Sequence, residues 1–430
     1  MELTRRACIK NGLTFVSLGM AAPSIVARAA AQAAAGGSNG RILVVLQMSG
    51  GNDGLNTVIP YTDPLYRRYR PTIGVNAADI VSISPKIGLH ASLAALKPIY
   101  DQGRLAIVQG AGYPDPNRSH FRSMEIWQTA DPTARVEADG WLGRWFDADG
   151  HLKSNPLIGV NFGGEVPKTL HSDFGSVVSM QNPQSYQLQT IAYPEKVPEI
   201  RAFTQLYEQG TMANSVVDLV RKIGLDAYTT SERVRKVLLA KPAPAEELGT
   251  PSGQALDAGS PANSTLVPAA MPNSLLARNL KAVAQLIGAG IGTRVYYVST
   301  GGFDTHANQP PTQARVLKDV GDSLAAFYAE LSRIGAQNDV VVMTFSEFGR
   351  RVQENASAGT DHGQAGPMFV MGGAVKGGLY GEYPSLADLD EGDLKYNVDF
   401  RQVYATLMDV WLKTPSASIL NGSFNHLPFV

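Results

Sequence analysis

The chain has 430 residues but little cysteine, little net charge and no long apolar run. Its single cysteine, Cys8, lies near the start of the chain, so the remainder forms no disulfide and depends on a hydrophobic core. A hydrophobic content of 44% is ample for such a core. No segment is apolar enough to predict a transmembrane helix. The formal net charge of −1 argues against a nucleic-acid-binding protein, which normally presents a basic surface.

The first residues have the pattern of an export signal. Arg5 and Arg6 form a twin-arginine pair, a weakly apolar stretch follows at 12–22, and Ala27-Arg28-Ala29 offers a small-residue cleavage site. We predict a signal peptide at 1–29 and a bacterial protein that is periplasmic or secreted, with the twin-arginine export machinery as a partner. The alternative is an amphipathic first helix. Residues 1–29 hold four basic residues and one acid, so removing this +3 segment changes the net charge from −1 to −4.

Strand-like and helix-like patterns alternate through most of the chain. Apolar, β-branched runs predict strands at 42–48, 105–109, 294–299, 340–345 and 368–371. Periodic apolar patterns predict helices at 89–102, 120–129, 279–289, 314–334 and 400–412. This alternation predicts an α/β fold with a doubly wound, mostly parallel sheet flanked by helices.

Two regions interrupt the alternation. Residues 150–199 are rich in turn residues, and we predict a small cap region there. Residues 241–273 are dominated by Pro, Ala, Gly and Ser without a periodic apolar face, which predicts a flexible surface insertion. Residues 30–430 are therefore expected to form a single domain with these two additions.

Four short acid and histidine motifs follow strand-like runs. Because the carboxyl ends of parallel strands meet at one edge of a sheet, we expect these side chains to lie close together. Carboxylate and imidazole groups are metal ligands, so the motifs predict a metal site. The candidate ligands are Asp53, Asp304, His306, Glu347, Asp361 and His362.

The donor atoms admit several metals. An Asp-x-His pair suits zinc, manganese or iron, while a site richer in carboxylates suits magnesium or calcium. We predict one or two divalent ions from this group. Three candidates have alternatives: Asp53 could cap a tight turn, Glu347 could pair with an arginine such as Arg350, and Asp361 could orient an imidazole ligand instead of binding the ion.

A further motif, Asn117-Arg118-Ser119-His120, precedes the predicted helix at 120–129. Ser119 is well placed as an N-cap residue. The same position would let its hydroxyl attack a phosphoryl group held by a metal, since the N-terminus of a helix attracts anions. Arg118 and Arg122 could neutralise the oxyanion.

These motifs, in this order, resemble the bacterial "domain of unknown function 1501" family. The motifs that carry the resemblance are Gly51-Asn52-Asp53-Gly54, Arg118-Ser119-His120-Phe121, Gly302-Phe303-Asp304-Thr305-His306, Ser346-Glu347-Phe348-Gly349-Arg350 and Thr360-Asp361-His362-Gly363. That family is similar to the alkaline-phosphatase-like superfamily, which includes sulfatases. The resemblance implies an alkaline-phosphatase-like fold and, in most relatives, two metal ions.

The resemblance also implies roles for individual residues. Asp53 would contact a metal near the nucleophile, Ser119 would be that nucleophile, and Asp304, His306 and His362 would share one ion. Glu347-Phe348 stands where relatives have Asp-His, which removes one ligand of the second ion. His120 is the candidate for the missing nitrogen donor.

The sequence therefore predicts an exported metal-dependent hydrolase. Its substrate would be a small-molecule or polymeric phosphate ester, with a sulfate ester as the second choice. The segment around Ser119 lacks the Cys/Ser-x-Pro-x-Arg pattern, which argues against a formylglycine-type sulfatase. The alternative from another class is a non-catalytic exported binding or assembly protein that retains the hydrolase fold.

Overall fold

The computed structural model describes residues 40–133, 139–148, 157–173, 177–181, 216–240 and 271–430, with a few single positions between them. The predicted signal peptide at 1–29 and most of the predicted insertion, at 241–270, lie outside the described residues.

The described strands and helices alternate along the chain. The strands are β1 Ile42–Met48, β2 Val58–Ile59, β3 Ile80–Ser82, β4 Gly88–His90, β5 Leu105–Gly112, β6 Gly159–Phe162, β7 Val178–Ser179, β8 Val295–Thr300, β9 Val340–Phe345, β10 Gly366–Met371, β11 Gly378–Tyr380, β12 Leu389–Asp390, β13 Asp393–Leu394 and β14 Val398–Asp399. The α-helices are α1 Gly54–Thr57, α2 Pro64–Tyr69, α3 Lys97–Asp101, α4 His120–Thr129, α5 Trp141–Ala148, α6 Val216–Leu239, α7 Leu275–Gly288, α8 Gln309–Arg333 and α9 Phe400–Thr406, which continues as a π-helical turn at Leu407–Leu412.

Nine of the described strands form one central sheet in the order β11-β5-β10-β9-β1-β8-β6-β7, with β14 beside β5. The pairs β1–β8, β1–β9, β6–β8 and β5–β11 are parallel, while β10 runs antiparallel to β5 and β9. The predicted mostly parallel α/β sheet is confirmed. Because β10 is reversed, its first residue lies at the edge where β1, β5, β8 and β9 end.

Helices cover both faces of this sheet. Alternate residues of β1 point to opposite faces, as the two-residue period of a strand requires. Leu43 and Val45 pack in the core under α4, α5 and α9, whereas Val44 and Leu46 pack in the core under α7 and α8. A strand buried on both faces must be apolar throughout, which is why β1 could be located from the sequence.

Two helices begin earlier than the apolar pattern indicates. Helix α8 begins at Gln309 rather than 314, since Pro310 and Pro311 occupy first-turn positions where no backbone donor is needed. Helix α7 begins at Leu275 rather than 279, because the side chain of Ser274 caps it by accepting from the N–H of Ala277.

One predicted helix differs from the observed elements. The helix expected at 89–102 is α-helical only in α3. Leu89 instead pairs with Val58 and Val81 in a small sheet of β2, β3 and β4, and a 3₁₀ turn occupies Ala91–Leu96. Within the predicted cap region, β6 and β7 extend the central sheet.

None of the described helices is long and apolar enough to cross a membrane.

Candidate metal centre

Four connections meet at the edge where the parallel strands end. The β8–α8 loop carries Asp304 and His306, the β9–β10 loop carries Glu347 and His362, and the β5–α4 connection ends at His120. The turn after β1 lies beneath them. The topology of the sheet therefore places these motifs at one edge, as expected from the sequence.

Three imidazole rings surround the carboxylate of Asp304. The distance to an Asp304 oxygen is 3.0 Å from His306 Nε2, 3.4 Å from His362 Nε2 and 3.5 Å from His120 Nε2. Ligand atoms of His120, Asp304 and His362 all lie within 4.8 Å of one another. His306 joins this set through its Nε2 atom, 2.9 Å from His362 Nε2. We call His120, Asp304, His306 and His362 the cluster.

Each of the three imidazoles is oriented through its other ring nitrogen. His120 Nδ1 lies 2.8 Å from Glu347 Oε1, and His306 Nδ1 lies 3.2 Å from Asp361 Oδ1. His362 Nδ1 lies 2.8 Å from the carbonyl oxygen of Arg118. All three partners are acceptors, so in a neutral ring each Nδ1 carries the proton and each Nε2 presents a lone pair. This is the arrangement in which metal-binding histidines are usually held.

Within the cluster these lone pairs face one another or a carboxylate, and the guanidinium of Arg350 approaches one of them, with Nη1 3.5 Å from His306 Nε2. His306 Nε2 and His362 Nε2 face each other at 2.9 Å as two acceptors, which is repulsive unless a cation lies between them. His120 Nε2 is buried and has no hydrogen-bond partner among the described residues. Buried polar atoms are normally satisfied, so these nitrogens fit a metal ion. Three imidazole nitrogens and one carboxylate suit zinc, manganese or iron.

The protonation states agree with a ligand role. Burial is the main cause that lowers the pKa of His362, the positive charge of Arg350 acts in the same direction, and the result favours the neutral form. Burial acts to raise the pKa of Asp304, but the pKa is lowered, and the hydrogen bond and charge of Arg350 are the main causes of the lowering. The hydrogen bond from Asn355 is the main cause that lowers the pKa of Asp361.

The fixed charges at the cluster leave room for a dication. Asp304, Glu347 and Asp361 contribute three negative charges, and the guanidinium of Arg350 contributes one positive charge 2.7 Å from Asp304 Oδ1. With neutral imidazoles the sum is −2, which a divalent ion neutralises.

Arg350 contacts the cluster through Asp304, although sequence reasoning gave it no role at the metal site. Its side chain is fully buried and donates to the carbonyl oxygens of Gly50, Gly51, Phe303 and Thr360 as well as to Asp304. Its donors are thereby used within the protein, so it organises the loops and is not available as a substrate clamp. The predicted alternative partner for Arg350 was Glu347, but Glu347 instead accepts from His120 and from the N–H of Gly50.

Glycines after β1 allow a close approach of two backbones. Gly50 has a φ of 118°, and a Cβ there would lie 2.5 Å from the backbone nitrogen of Asp304. Gly51 has a φ of 73°, and a Cβ there would overlap the ring of Phe348. The glycine-rich motif thus allows the loops around the cluster to pack closely against each other.

Asp53 lies away from the cluster. One carboxylate oxygen accepts from the N–H of Leu55 and caps α1, while the other accepts from Arg70 and Gln309. The carboxylate is buried, and these donors occupy it. The structure therefore brings together His120, Asp304, His306 and His362, and places Asp53 in a separate buried network.

The predicted nucleophile lies in a groove beside the cluster. Ser119 is exposed at the N-terminus of α4, and its side chain makes no capping hydrogen bond. It lines an open groove of about 620 Å³ together with Ser49, His120, Arg122 and Glu347. The alternative expected from the sequence, in which this hydroxyl caps its own helix, is not observed.

The two predicted anion-binding arginines differ in position. The guanidinium of Arg118 binds the buried carboxylate of Asp393, while its carbonyl oxygen faces His362. Arg122 lines the groove and pairs with Glu125. Arg118 thus contributes through its backbone, a role that no side-chain pattern could have revealed.

Comparison with solved structures gives low similarity values. The PsFucS1 sulfatase from Pseudoalteromonas sp. aligns with a TM-score of 0.37 and 12% identity, covering 94% of this chain and 74% of that chain. An alkaline phosphatase from the Antarctic bacterium TAB5 aligns with a TM-score of 0.30 and 10% identity, covering 80% of this chain and 95% of the phosphatase chain. TM-scores this low leave the functional assignment to the chain's own residues.

A family model matches most of the chain. No curated protein sequence gives a significant match. The model described as "Protein of unknown function (DUF1501)" matches residues 41–412, which include every residue of the cluster. The chain therefore belongs to this family.

Proposed function

We propose that the protein is a metal-dependent hydrolase whose ion is held by His120, Asp304, His306 and His362. The observation that carries this proposal is the contact of two imidazole acceptors, His306 Nε2 and His362 Nε2, at 2.9 Å beside a carboxylate. Glu347, Asp361 and the carbonyl oxygen of Arg118 fix the three rings in the tautomer that binds a metal. One ion accounts for all of these nitrogens.

An ion in the cluster would supply Lewis-acid chemistry, polarising an ester oxygen and favouring ionisation of a nearby hydroxyl. The hydroxyl that the chain offers is that of Ser119, which shares the groove with His120 and Glu347. In the proposed reaction Ser119 Oγ bonds to the phosphorus of the ester and the alcohol leaves. Water then releases phosphate and restores the serine.

The start of α4 favours an anionic substrate. The first turn of a helix leaves backbone N–H groups without partners, and these attract phosphate-like groups. The side chain of Ser119 does not occupy them. Helix α4 has ten residues, long enough for an appreciable helix dipole. We therefore propose a phosphate ester as substrate, and a sulfate ester as the second choice.

The decisive experiment combines metal analysis with turnover. Protein purified without chelators should contain about one divalent ion per chain. Alanine substitution of Asp304, His306 or His362 should lower that stoichiometry, and His426→Ala serves as the control because His426 pairs with Asp409 in another part of the fold. Full occupancy in all three variants would contradict the proposed ligands.

Turnover tests the nucleophile separately. Wild-type protein should hydrolyse an aryl phosphate, and Ser119→Ala should lose at least about 100-fold in kcat while retaining its ion. Undiminished turnover in Ser119→Ala would exclude the serine as nucleophile. A metal-loaded wild type that hydrolyses neither aryl phosphate nor aryl sulfate would support the alternative of a non-catalytic binding protein.

We also propose export through the twin-arginine route, because of the Arg5-Arg6 pair and the near absence of cysteine. A folded protein that already holds its metal is compatible with this route.

A further inference from the structure

Gln309 is the first residue of α8 and follows the loop that carries Asp304 and His306. Its side chain is fully buried, and its carbonyl oxygen Oε1 accepts two hydroxyl hydrogen bonds. Thr305 Oγ1 donates to it at 3.0 Å and Thr360 Oγ1 donates to it at 2.6 Å. One amide oxygen therefore joins two different loops.

Those two threonines are adjacent in sequence to the ligands. Thr305 lies between Asp304 and His306 on the β8–α8 loop, and Thr360 precedes Asp361 and His362 on the β9–β10 loop. The N–H of Thr360 also donates to the carbonyl oxygen of Thr305 at 3.1 Å. The bonds that Gln309 accepts therefore act together with those of Arg350 to fix one loop relative to the other.

Asp53 sets the direction of the Gln309 amide. A primary amide has a donor end and an acceptor end of nearly equal shape, so a neighbouring charge decides which way it points. Gln309 Nε2 donates to the Asp53 carboxylate and to Gln313 Oε1. Arg70, also fully buried, donates to the same Asp53 oxygen and fixes the carboxylate. With Nε2 held by Asp53, Oε1 must face the threonines.

We propose that Gln309 and Asp53 are positioning residues that hold the two ligand loops in register for metal binding. This inference rests on the proposed metal site and extends it to residues that touch no ligand atom. It gives Asp53 a function that differs from direct ligation: its charge orients an amide, which then fixes His306 and His362 through neighbouring threonines.

The chemical reason is the weakness of the substitute partner: Thr305 Oγ1 also contacts the carbonyl oxygen of Phe303, but at 3.4 Å. If Gln309 loses its amide, two buried hydroxyl groups lose their shared acceptor, and Asp53 retains only Arg70 and the N–H of Leu55. Buried polar groups move to find new partners. Movement of either threonine displaces an adjacent ligand, and partners outside the ligand set commonly change metal affinity by about 10- to 100-fold.

The test compares Gln309→Met with Gln313→Met. Both substitutions remove a buried amide from one helix, but Gln313 contacts Gln309 and the backbone of Asp53 and makes no hydrogen bond to Thr305 or Thr360. Zinc affinity should fall about tenfold or more in Gln309→Met and less than about threefold in Gln313→Met. Cobalt-substituted Gln309→Met should also show altered visible absorption, which reports ligand geometry and does not depend on global stability.

Exchanging the charges of residues 53 and 309 tests whether zinc binding can be restored. Gln309→Glu alone places a second carboxylate against Asp53 and should weaken zinc binding. Adding Asp53→Asn removes the repulsion between the two carboxylates and restores the total charge beside Arg70, which donates to the same Asp53 oxygen. The double variant should bind zinc more tightly than Gln309→Glu.

The outcomes separate the two proposals. Wild-type zinc affinity and cobalt absorption in folded Gln309→Met would overturn the positioning role and leave the metal site intact. Absence of zinc or cobalt binding by the wild type would overturn the metal site and, with it, the positioning role. A double variant no better than Gln309→Glu would refute the orientation of the amide by Asp53.

Discussion

Replacing Glu347 by glutamine tests how much the charge behind His120 contributes to metal binding. Glu347 is buried, and its Oε1 accepts from His120 Nδ1 and from the N–H of Gly50, both at 2.8 Å. Its Oε2 lies 3.2 Å from Ser346 Oγ. A glutamine can keep its oxygen on the first two donors and direct its amide toward the serine. Glu347→Gln therefore removes the charge with little change in shape.

The expected magnitude follows from the charges around the cluster. The carboxylates of Asp304, Glu347 and Asp361, with Arg350, give −2, and the substitution changes this to −1. A divalent ion would then leave the site with a net positive charge, and His120 would lose the anion that orients its ring. Such losses weaken metal binding by about 10- to 100-fold, or about 1.4–2.8 kcal/mol.

The assay is competition for zinc against a chelating indicator at fixed pH, with the melting temperature of the metal-free protein measured in parallel. Glu354→Gln is the matched control, since Glu354 lies in the same loop but accepts only from the backbone N–H groups of Thr72 and Ile73. Its zinc affinity should stay within about twofold of wild type, because surface contacts of this kind contribute little at a distance.

The reasoning is refuted if Glu347→Gln binds zinc as tightly as Glu354→Gln while both melt like the wild type. Such a result would mean that His120 does not ligate the ion, or that the charge of Glu347 contributes nothing to metal binding. A selective loss in Glu347→Gln supports His120 as a ligand oriented through Nδ1.

Two further predictions concern segments outside the described residues. Deleting 241–270 should leave the melting temperature, the metal content and any turnover unchanged, because its composition offers too little apolar surface to offset ordering; an insoluble product or a lost ion would show that the segment packs against the fold. Changing Arg5 and Arg6 together to lysine should keep the protein in the bacterial cytoplasm, whereas changing Lys10 to arginine should not. Equal export of both variants, followed by cell fractionation and immunoblotting, would contradict a twin-arginine signal.

The local sequence determined where the main elements lie. The bounds of β1, β9 and α4 agree with the predicted 42–48, 340–345 and 120–129. Buried parallel strands must be apolar on both faces, and an amphipathic helix must keep a periodic apolar stripe, so both leave a pattern that can be read without a structure. The same rule placed the acid and histidine motifs at one edge of the sheet. Helix starts that depend on capping, such as Ser274 and the prolines after Gln309, left a weaker pattern.

Only the tertiary structure decided which of these polar residues meet. Asp53 and Glu347 both follow strands and both appeared as candidate ligands, but one carboxylate turns toward Arg70 and Gln309 and the other toward His120. Arg118 carries a charge that pattern reasoning assigned to an oxyanion, yet its carbonyl oxygen faces the site. Side-chain direction and long-range hydrogen bonds depend on loop backbones that join positions hundreds of residues apart. Residue type fixed the chemistry available at the sheet edge, and packing of the loops fixed which atoms share a centre.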